Sequence, residues 1–432
     1  MYEYSPCIAK KKILITVAVA LFLFQYTWGQ VGWGQDIPDN PLIGLNVPLS
    51  GAYKAQGNDQ VNAFEMAINT LNEQGGVLGK EVSYKIKDTE TNPQVAKKNT
   101  LQFINKDNVE LITGGISSGV ALTQSDICQQ ENMLFMCPIA HSTAVTGFEG
   151  REGQYGDQKA HRHTFRWFFN AWMTQEALTP YLLEEFGKLQ NYFYITADNA
   201  WGRSTEHAIR QSIEAAGCNT LGRVKARLGQ GDLSRELKKA QNADPDVLML
   251  ILFGSDMVKA INKLYQMGLD QEMQIVVPLM ELNMAHEIGP EKLEGIISTT
   301  NWYWGLKDKY PGSRKFVRKY RSKYNKPPGF SAAGSWTVVK EWAAAVERAG
   351  SFAPDKVIKE LEGHQYQVLK GKETWRSWDH QAVNSAYIVE GKSKKNMENE
   401  WDLLKILKEV DGTEVVRSKV ENPVMLEPLD SE

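Results

Sequence analysis

From Leu42 to Val277 short apolar, β-branched runs alternate with longer amphipathic ones, and this alternation restricts the fold more than any other feature of the chain. A strand covered on both faces reads as a continuous apolar run, and a covering helix shows apolar residues three and four apart. Repeated in order, the two patterns predict βα units, hence parallel sheets with helices on both faces. Leu42–Val47 reads as a strand. Gln60–Gln74 reads as a helix, with Val61, Phe64, Ile68 and Leu71 on one face and Gly75-Gly76 as its stop. Val82, Tyr84 and Ile86 alternate as a half-buried strand, and Asn92-Pro93 supplies an N-cap and first-turn proline for a helix reaching about Asp107. A strand at Val109–Thr113, a helix at Val120–Glu131 and a strand at Leu134–Pro138 complete the first series.

The Gly- and charge-rich stretch from Thr146 to His163 has no periodicity and reads as an insertion near a lobe boundary. Beyond it a second series runs through helix Met173–Phe186, strand Tyr192–Thr196, helix Trp201–Ala216, strand Arg223–Ala226 and helix Leu233–Ala243. It continues with strand Val247–Phe253, helix Asp256–Met267 and strand Gln274–Val277. Helices at Ser313–Tyr324, Gly334–Ala349 and Pro354–Glu362 and a strand at Ala386–Glu390 are too few for a third core, so this last segment is expected to return and complete the earlier lobes. The fold class is α/β: two doubly wound parallel-sheet lobes joined by a multi-crossing hinge. One lobe is expected to take 37–163 with 301–368, the other 164–300 with 369–410, leaving 411–432 as a charged tail. Trp302, Tyr303 and Trp304 stand beside an expected crossing and read as hinge packing.

A chain of 432 residues has room for two domains of ordinary size. Its formal net charge of -3 gives no electrostatic reason to expect nucleic acid as a partner. At the N-terminus Lys10-Lys11-Lys12 precedes an apolar core, Ile13 to Phe24, followed by small residues at Thr27 and Gly29 or Gly32 and Gly34. This is the pattern of an export signal, here residues 1–34, cleaved near Gly29 or Gly34. The core is shorter than the ~20 apolar residues of a membrane helix, so a soluble periplasmic protein without stable membrane insertion is expected. Cys7 precedes the core and the next cysteine is Cys128, so no cysteine sits where lipid attachment requires one. Cys128, Cys137 and Cys218 read as small buried hydrophobes.

Gly114-Gly115-Ile116-Ser117-Ser118-Gly119 leaves a strand and enters a helix. Unpaired N–H groups and the positive end of the helix dipole meet there, and two hydroxyls add donors, which suits one carboxylate. The same residues spell G-x-S-x-G from Gly115 to Gly119, the signature of a hydrolase nucleophile at Ser117. Asp379-His380 could complete such a triad in name, but no His-Gly-Gly motif lies upstream, and binding is the stronger reading. No G-x-G-x-x-G follows the first strand, so a dinucleotide is not expected. His161 and His163 lack a cysteine or carboxylate set at ligand spacing, so neither a metal nor a cofactor is expected. Tyr53 and Gln56 lie in the loop after the first strand, where open α/β sheets bind ligands.

Several motifs, taken in order, resemble the type I periplasmic binding proteins of the leucine/isoleucine/valine family, the bilobed solute receptors of ABC importers. They are Leu49-Ser50-Gly51 with Gln56-Gly57, Asn72-Glu73-Gln74-Gly75-Gly76-Val77-Leu78-Gly79, Gly115-Ile116-Ser117-Ser118 and Asp198-Asn199-Ala200-Trp201-Gly202-Arg203. Glu294-Gly295-Ile296, Phe316-Val317-Arg318-Lys319-Tyr320, Ala332-Ala333-Gly334-Ser335-Trp336 and Ala345-Val346-Glu347-Arg348-Ala349-Gly350 follow. The resemblance implies a receptor without catalytic activity that closes over a small amino acid-like, carboxylate or amide ligand and delivers it to an ABC permease. It places the carboxylate at Ser117-Ser118 and at the next turn, Ile139-Ala140-His141-Ser142. There the family's amino-acid binders have Ala or Ser followed two residues later by Thr. His141 is larger than threonine and brings its own titration near neutrality, which favours a urea, amide or aromatic acid over an aliphatic amino acid. Trp201 stands where the family has an aromatic wall and is wide enough to stack on a flat ligand. Phe253 and Glu281 are the further second-lobe contacts expected on closure, Glu281 as the group that would grip an ammonium.

Overall fold

The computed structural model describes residues 37–147, 159–188 and 190–429. The expected export signal and most of the expected insertion lie outside them. The first sheet holds β1 (Leu42–Val47), β2 (Ser83–Asp88), β3 (Leu111–Gly114), β4 (Phe135–Cys137) and β6 (Thr164–Arg166), all parallel, in the order β2-β1-β3-β4-β6. β5 (Lys159–Ala160) pairs with β17 (Met425–Leu426), so the C-terminal tail returns to the first insertion. The second sheet holds β7 (Asn191–Ala197), β8 (Asn219–Ala226), β9 (Val247–Ile251), β10 (Gln274–Val277), β11 (Ile297–Thr300), β15 (Ala386–Gly391) and β16 (Leu404–Val410). Its order is β16-β15-β11-β10-β9-β7-β8, with β15 antiparallel to both of its neighbours. β12 (Gln365–Tyr366), β13 (Glu373–Trp375) and β14 (Ala382–Val383) form a small antiparallel sheet.

Central strands are apolar because helices cover both faces: β9 is buried at all its positions, whereas the edge strand β8 alternates exposed and covered residues. On the first sheet α1 (Lys54–Glu73) packs with α11 (Phe330–Ala349), and α2 (Pro93–Gln102) packs with α3 (Ser118–Gln130). Asn92 caps α2 as its sequence predicts, its side chain accepting from the Gln94 N–H at 2.8 Å with Pro93 in the first turn. The second sheet is covered by α4 (Ala171–Phe186), α5 (Ala200–Ala215), α6 (Ser234–Ala243), α7 (Ser255–Gln266), α8 (Leu282–Ile288) and α9 (Pro290–Leu293). α10 (Pro311–Tyr324) returns to the first lobe, where the Tyr324 hydroxyl donates to the Asn62 carbonyl at 2.7 Å, and α12 (Pro354–Leu361) packs on α11.

Two departures from the expected elements share a cause. α1 begins at Lys54 rather than Gln60, because Gln56, Gly57 and Asp59 are polar or lack a side chain yet are buried. β11 carries Ser298, Thr299 and Thr300 in the interior, and a hydroxyl-rich run does not read as an apolar strand. The Thr299 hydroxyl bonds the Pro278 carbonyl and that of Thr300 bonds the Trp302 carbonyl. β16 was hidden in the Lys- and Glu-rich tail as an edge strand half open to water.

The chain crosses between the two sheets after β6, after β11 and before β15. One buried ammonium reaches all three crossings. Lys370 Nζ donates to the Asn301 carbonyl at 3.0 Å, the Asn301 amide oxygen at 2.7 Å and the Ser385 carbonyl at 3.2 Å, and lies 5.4 Å from the Trp167 ring centre. Asn384 Nδ2 also donates to the Trp167 carbonyl at 2.7 Å. Trp302, Tyr303 and Trp304 are buried beside the second crossing. Among the described residues Cys128, Cys137 and Cys218 are buried and unpaired.

Candidate functional site

The C-terminal ends of β1, β3 and β4 open toward the second sheet, the end where open α/β sheets hold ligands. After β3 the backbone turns through Gly114 at φ +113°, and a Cβ there would stand 2.3 Å from the Asn46 carbonyl oxygen, so glycine is required. Ser117 then sits at the N-cap of α3 with extended φ and ψ, and its hydroxyl makes no capping bond. The Ser118 hydroxyl accepts from the Ser142 N–H at 3.1 Å, which ties the serine turn to the turn after β4.

Between the lobes these turns line one pocket. Tyr53, Ile116, Ser117, Ser118, Ile139 and His141 contribute from the first lobe, and Asn199, Trp201, Phe253 and Leu279 from the second. The lining contains no Asp, Glu, Lys or Arg. The free space is about 20 Å³, enough for roughly one water, so an organic ligand requires the walls to part.

His141 is the link between the walls. The Trp201 indole N–H donates to His141 Nδ1 at 3.1 Å. An indole nitrogen only donates, so Nδ1 is bare and the proton resides on Nε2, which donates to the Thr174 hydroxyl at 2.7 Å. Burial, together with the nearby Arg166 charge, holds this imidazole well below the ordinary histidine range. The titration near neutrality expected from the sequence therefore does not occur: His141 is a neutral acceptor.

Aromatic edges close the remaining sides. Tyr53 and Phe253 meet at 5.4 Å with an interplanar angle of 76°, and Trp201 and Phe253 at 6.0 Å and 63°. Phe330, at the start of α11, stacks on Phe253 at 6.2 Å and 20°. The side-chain oxygen of Asn199 accepts from the Gly202 N–H at 2.9 Å and caps α5, while Asn199 also bonds the Tyr53 phenol.

Three other residues singled out in the sequence lie elsewhere. Gln56 is buried on α1 outside the lining. Ser142 faces a neighbouring cleft of about 760 Å³ between the His141 turn and α5. Glu281 is fully buried at the start of α8, where it accepts from the Ser331 N–H at 3.1 Å. Asp379 and His380, the nominal hydrolase partners, are engaged with Arg376 and Glu362 and are not in the pocket. Among the described residues no group of three or more His, Cys, Asp or Glu could hold a metal, and no helix is long and apolar enough to cross a membrane.

Sequence reasoning missed Arg166, the last residue of β6. Its buried guanidinium donates to Gln381 Oε1 at 2.8 Å, to the Ser142 carbonyl and to the Thr146 hydroxyl at 2.5 Å, fixing the turn that carries His141. Nothing in a Thr-Phe-Arg run signals that role. Asn199 was missed as well; the signal that could have found it is an asparagine, a favoured cap, just before the helix expected at Trp201–Ala216.

The profile of a family described as periplasmic binding protein matches residues 42–396. The Leu/Ile/Val-binding protein homolog 3 of Brucella melitensis is 22% identical over 350 residues, covering 79% of this chain and 85% of that protein. A periplasmic binding protein from Burkholderia mallei has a crystal structure that superposes with a TM-score of 0.81 at 24% identity, covering 89% of this chain and 98% of that one. An ABC-transporter solute binding protein from Rhodopseudomonas palustris, solved in complex with 3,4-dihydroxybenzoic acid, superposes with a TM-score of 0.76 at 18% identity, covering 87% and 98%.

Proposed function

The chain belongs to the periplasmic binding protein family, and from that premise we propose that it binds a small organic acid in the pocket between its lobes and hands it to an ABC permease. The observation that carries this reading is the meeting of the serine turn and the Trp201 wall in one uncharged pocket. First-turn N–H groups of α3 and the hydroxyls of Ser117 and Ser118 are donors without a competing anion, which suits a carboxylate. Trp201, Tyr53 and Phe253 provide the apolar walls. Export to the periplasm and the absence of catalysis belong to the same proposal.

The working cycle is hinge closure. In the open form the ligand meets the first lobe, and closing brings Trp201 and Phe253 onto it, so the ligand stabilises the closed state by the contacts it makes only there. The test is thermal stability of the full chain with 4-hydroxybenzoate and 3-phenylpropanoate, with Ser117→Ala/Ser118→Ala as the variant. Without ligand the double variant should melt a few degrees below wild type, because the buried Ser142 N–H loses its Ser118 acceptor, and with ligand it should lose about tenfold to a hundredfold in affinity, the worth of hydrogen bonds to a charged group. Unchanged affinity would remove the serine turn from the site.

A further inference from the structure

We infer that the ligand carries a carboxylate but no ammonium: the receptor selects the deamino acid over the amino acid of the same skeleton. This rests on the pocket assignment above and adds the chemical class of its occupant. A primary ammonium has three N–H donors and a charge, and burying it without oxygen acceptors or a counter-charge is strongly unfavourable. The pocket supplies no counter-charge, and its Ser117 and Ser118 hydroxyls are taken up as donors to the carboxylate. Its lining holds no carboxylate. The Asn199 side-chain oxygen is committed to the Gly202 N–H, and His141 Nδ1, which the Trp201 indole holds while the walls touch, is a single uncharged nitrogen. Aromatic faces attract a cation but offer no oxygen to its N–H groups.

Two acidic side chains lie near the pocket without lining it: Asp256, whose Oδ2 accepts from the Gly229 N–H at 2.7 Å, and Glu281. Glu281 Oε1 accepts from the Ser331 N–H on α11. It lies beside Asp59 of α1: a Cβ on Gly329 would stand 2.4 Å from Glu281 Oε1 and 3.3 Å from Asp59 Oδ2. Asp59 in turn accepts from the Tyr320 hydroxyl at 3.0 Å, Lys326 Nζ at 2.7 Å and Asn283 Nδ2 at 2.8 Å. Since α1 and α11 cover the first sheet while Glu281 and Asn283 follow β10 of the second, both carboxylates serve the joint between the lobes. An ammonium in the pocket could recruit Glu281 only by breaking that joint.

The experiment compares matched pairs that differ by the α-ammonium alone: 3-phenylpropanoate with L-phenylalanine, and 4-methylpentanoate with L-leucine. Calorimetric titration of the full chain, and of Ser117→Ala/Ser118→Ala, reads each affinity. The deamino member should bind about a hundredfold tighter in at least one pair, and the double variant should weaken it. If an amino acid binds as tightly as its deamino partner and the double variant weakens both, the pocket assignment stands and the inference is overturned. If binding is indifferent to the double variant, the pocket assignment itself fails and takes the inference with it. No heat from either pair overturns the inference.

Discussion

Replacing Glu281 by glutamine should make the protein more stable at alkaline pH and leave it unchanged in acid. Burial, and then the neighbouring Asp59 charge, push the Glu281 carboxyl up from 4.5 to about 7, while the Ser331 hydrogen bonds and the Lys326 charge pull the other way. A carboxyl whose folded value is raised holds a proton in the folded chain that the unfolded chain has already lost between those two values. Stability therefore falls as pH rises from 4.5 to about 7 and stays low above it. A rise of that size, at about 1.4 kcal/mol per pH unit, corresponds to roughly 3 kcal/mol. Glutamine keeps an oxygen for the Ser331 N–H, adds N–H donors toward Asp59 and carries no charge, so the penalty disappears. Urea unfolding of wild type and Glu281→Gln, followed in parallel from pH 4.5 to 8.5, isolates Glu281 and the Asp59 carboxylate coupled to it, because groups that do not interact with the pair cancel in the difference. The variant should match wild type near pH 4.5 and exceed it by roughly 3 kcal/mol at pH 8. A difference that stays constant across the range, or a variant less stable at pH 8, would refute the account of the lobe joint.

Glu362→Gln should behave in the opposite sense. Burial opposes its charge, but hydrogen bonds from His380 at 3.0 Å and Arg162 at 2.8 Å outweigh it and hold the carboxyl down at about 2. The stability it contributes is present above 4.5 and is lost as pH falls through about 2. Urea unfolding should show the variant weaker by roughly 2 kcal/mol at pH 7, allowing for the solvent on its open side, and the gap closing toward pH 2. Lys370→Met should cost about 3–5 kcal/mol, because the buried Glu373 carboxylate 3.7 Å away loses its counter-charge. It also frees the Asn301 and Ser385 carbonyls, so small-angle scattering should show a broader spread of lobe separations than wild type. An unchanged scattering profile would confine Lys370 to packing.

The sequence was sufficient for the repeating units. Strands buried on both faces and amphipathic helices leave signals in consecutive residues, so β1, β9, β10 and α12 lie within two residues of where periodicity puts them. The Gly-Gly-Ile-Ser-Ser turn was legible for the same reason: the φ that only glycine adopts freely and the cap that serine favours are local requirements. Elements that break the apolar pattern were not legible. The first turns of α1 and the hydroxyl-bearing β11 are buried polar segments, and Asp59 finds Tyr320, Lys326 and Asn283 and the Thr299 hydroxyl finds Pro278 only far along the chain.

The amino-acid order by itself determined the α/β class, the paired series and the serine turn, because each depends on neighbours within a few residues. The tertiary structure alone decided which side chains face the pocket. His141 became a neutral acceptor because Trp201, sixty positions on, points its N–H at it. Glu281 was turned from the pocket to the lobe joint because Ser331 and Asp59 meet it there. Both outcomes depend on burial and on charges brought together across the cleft, and no window of sequence contains those.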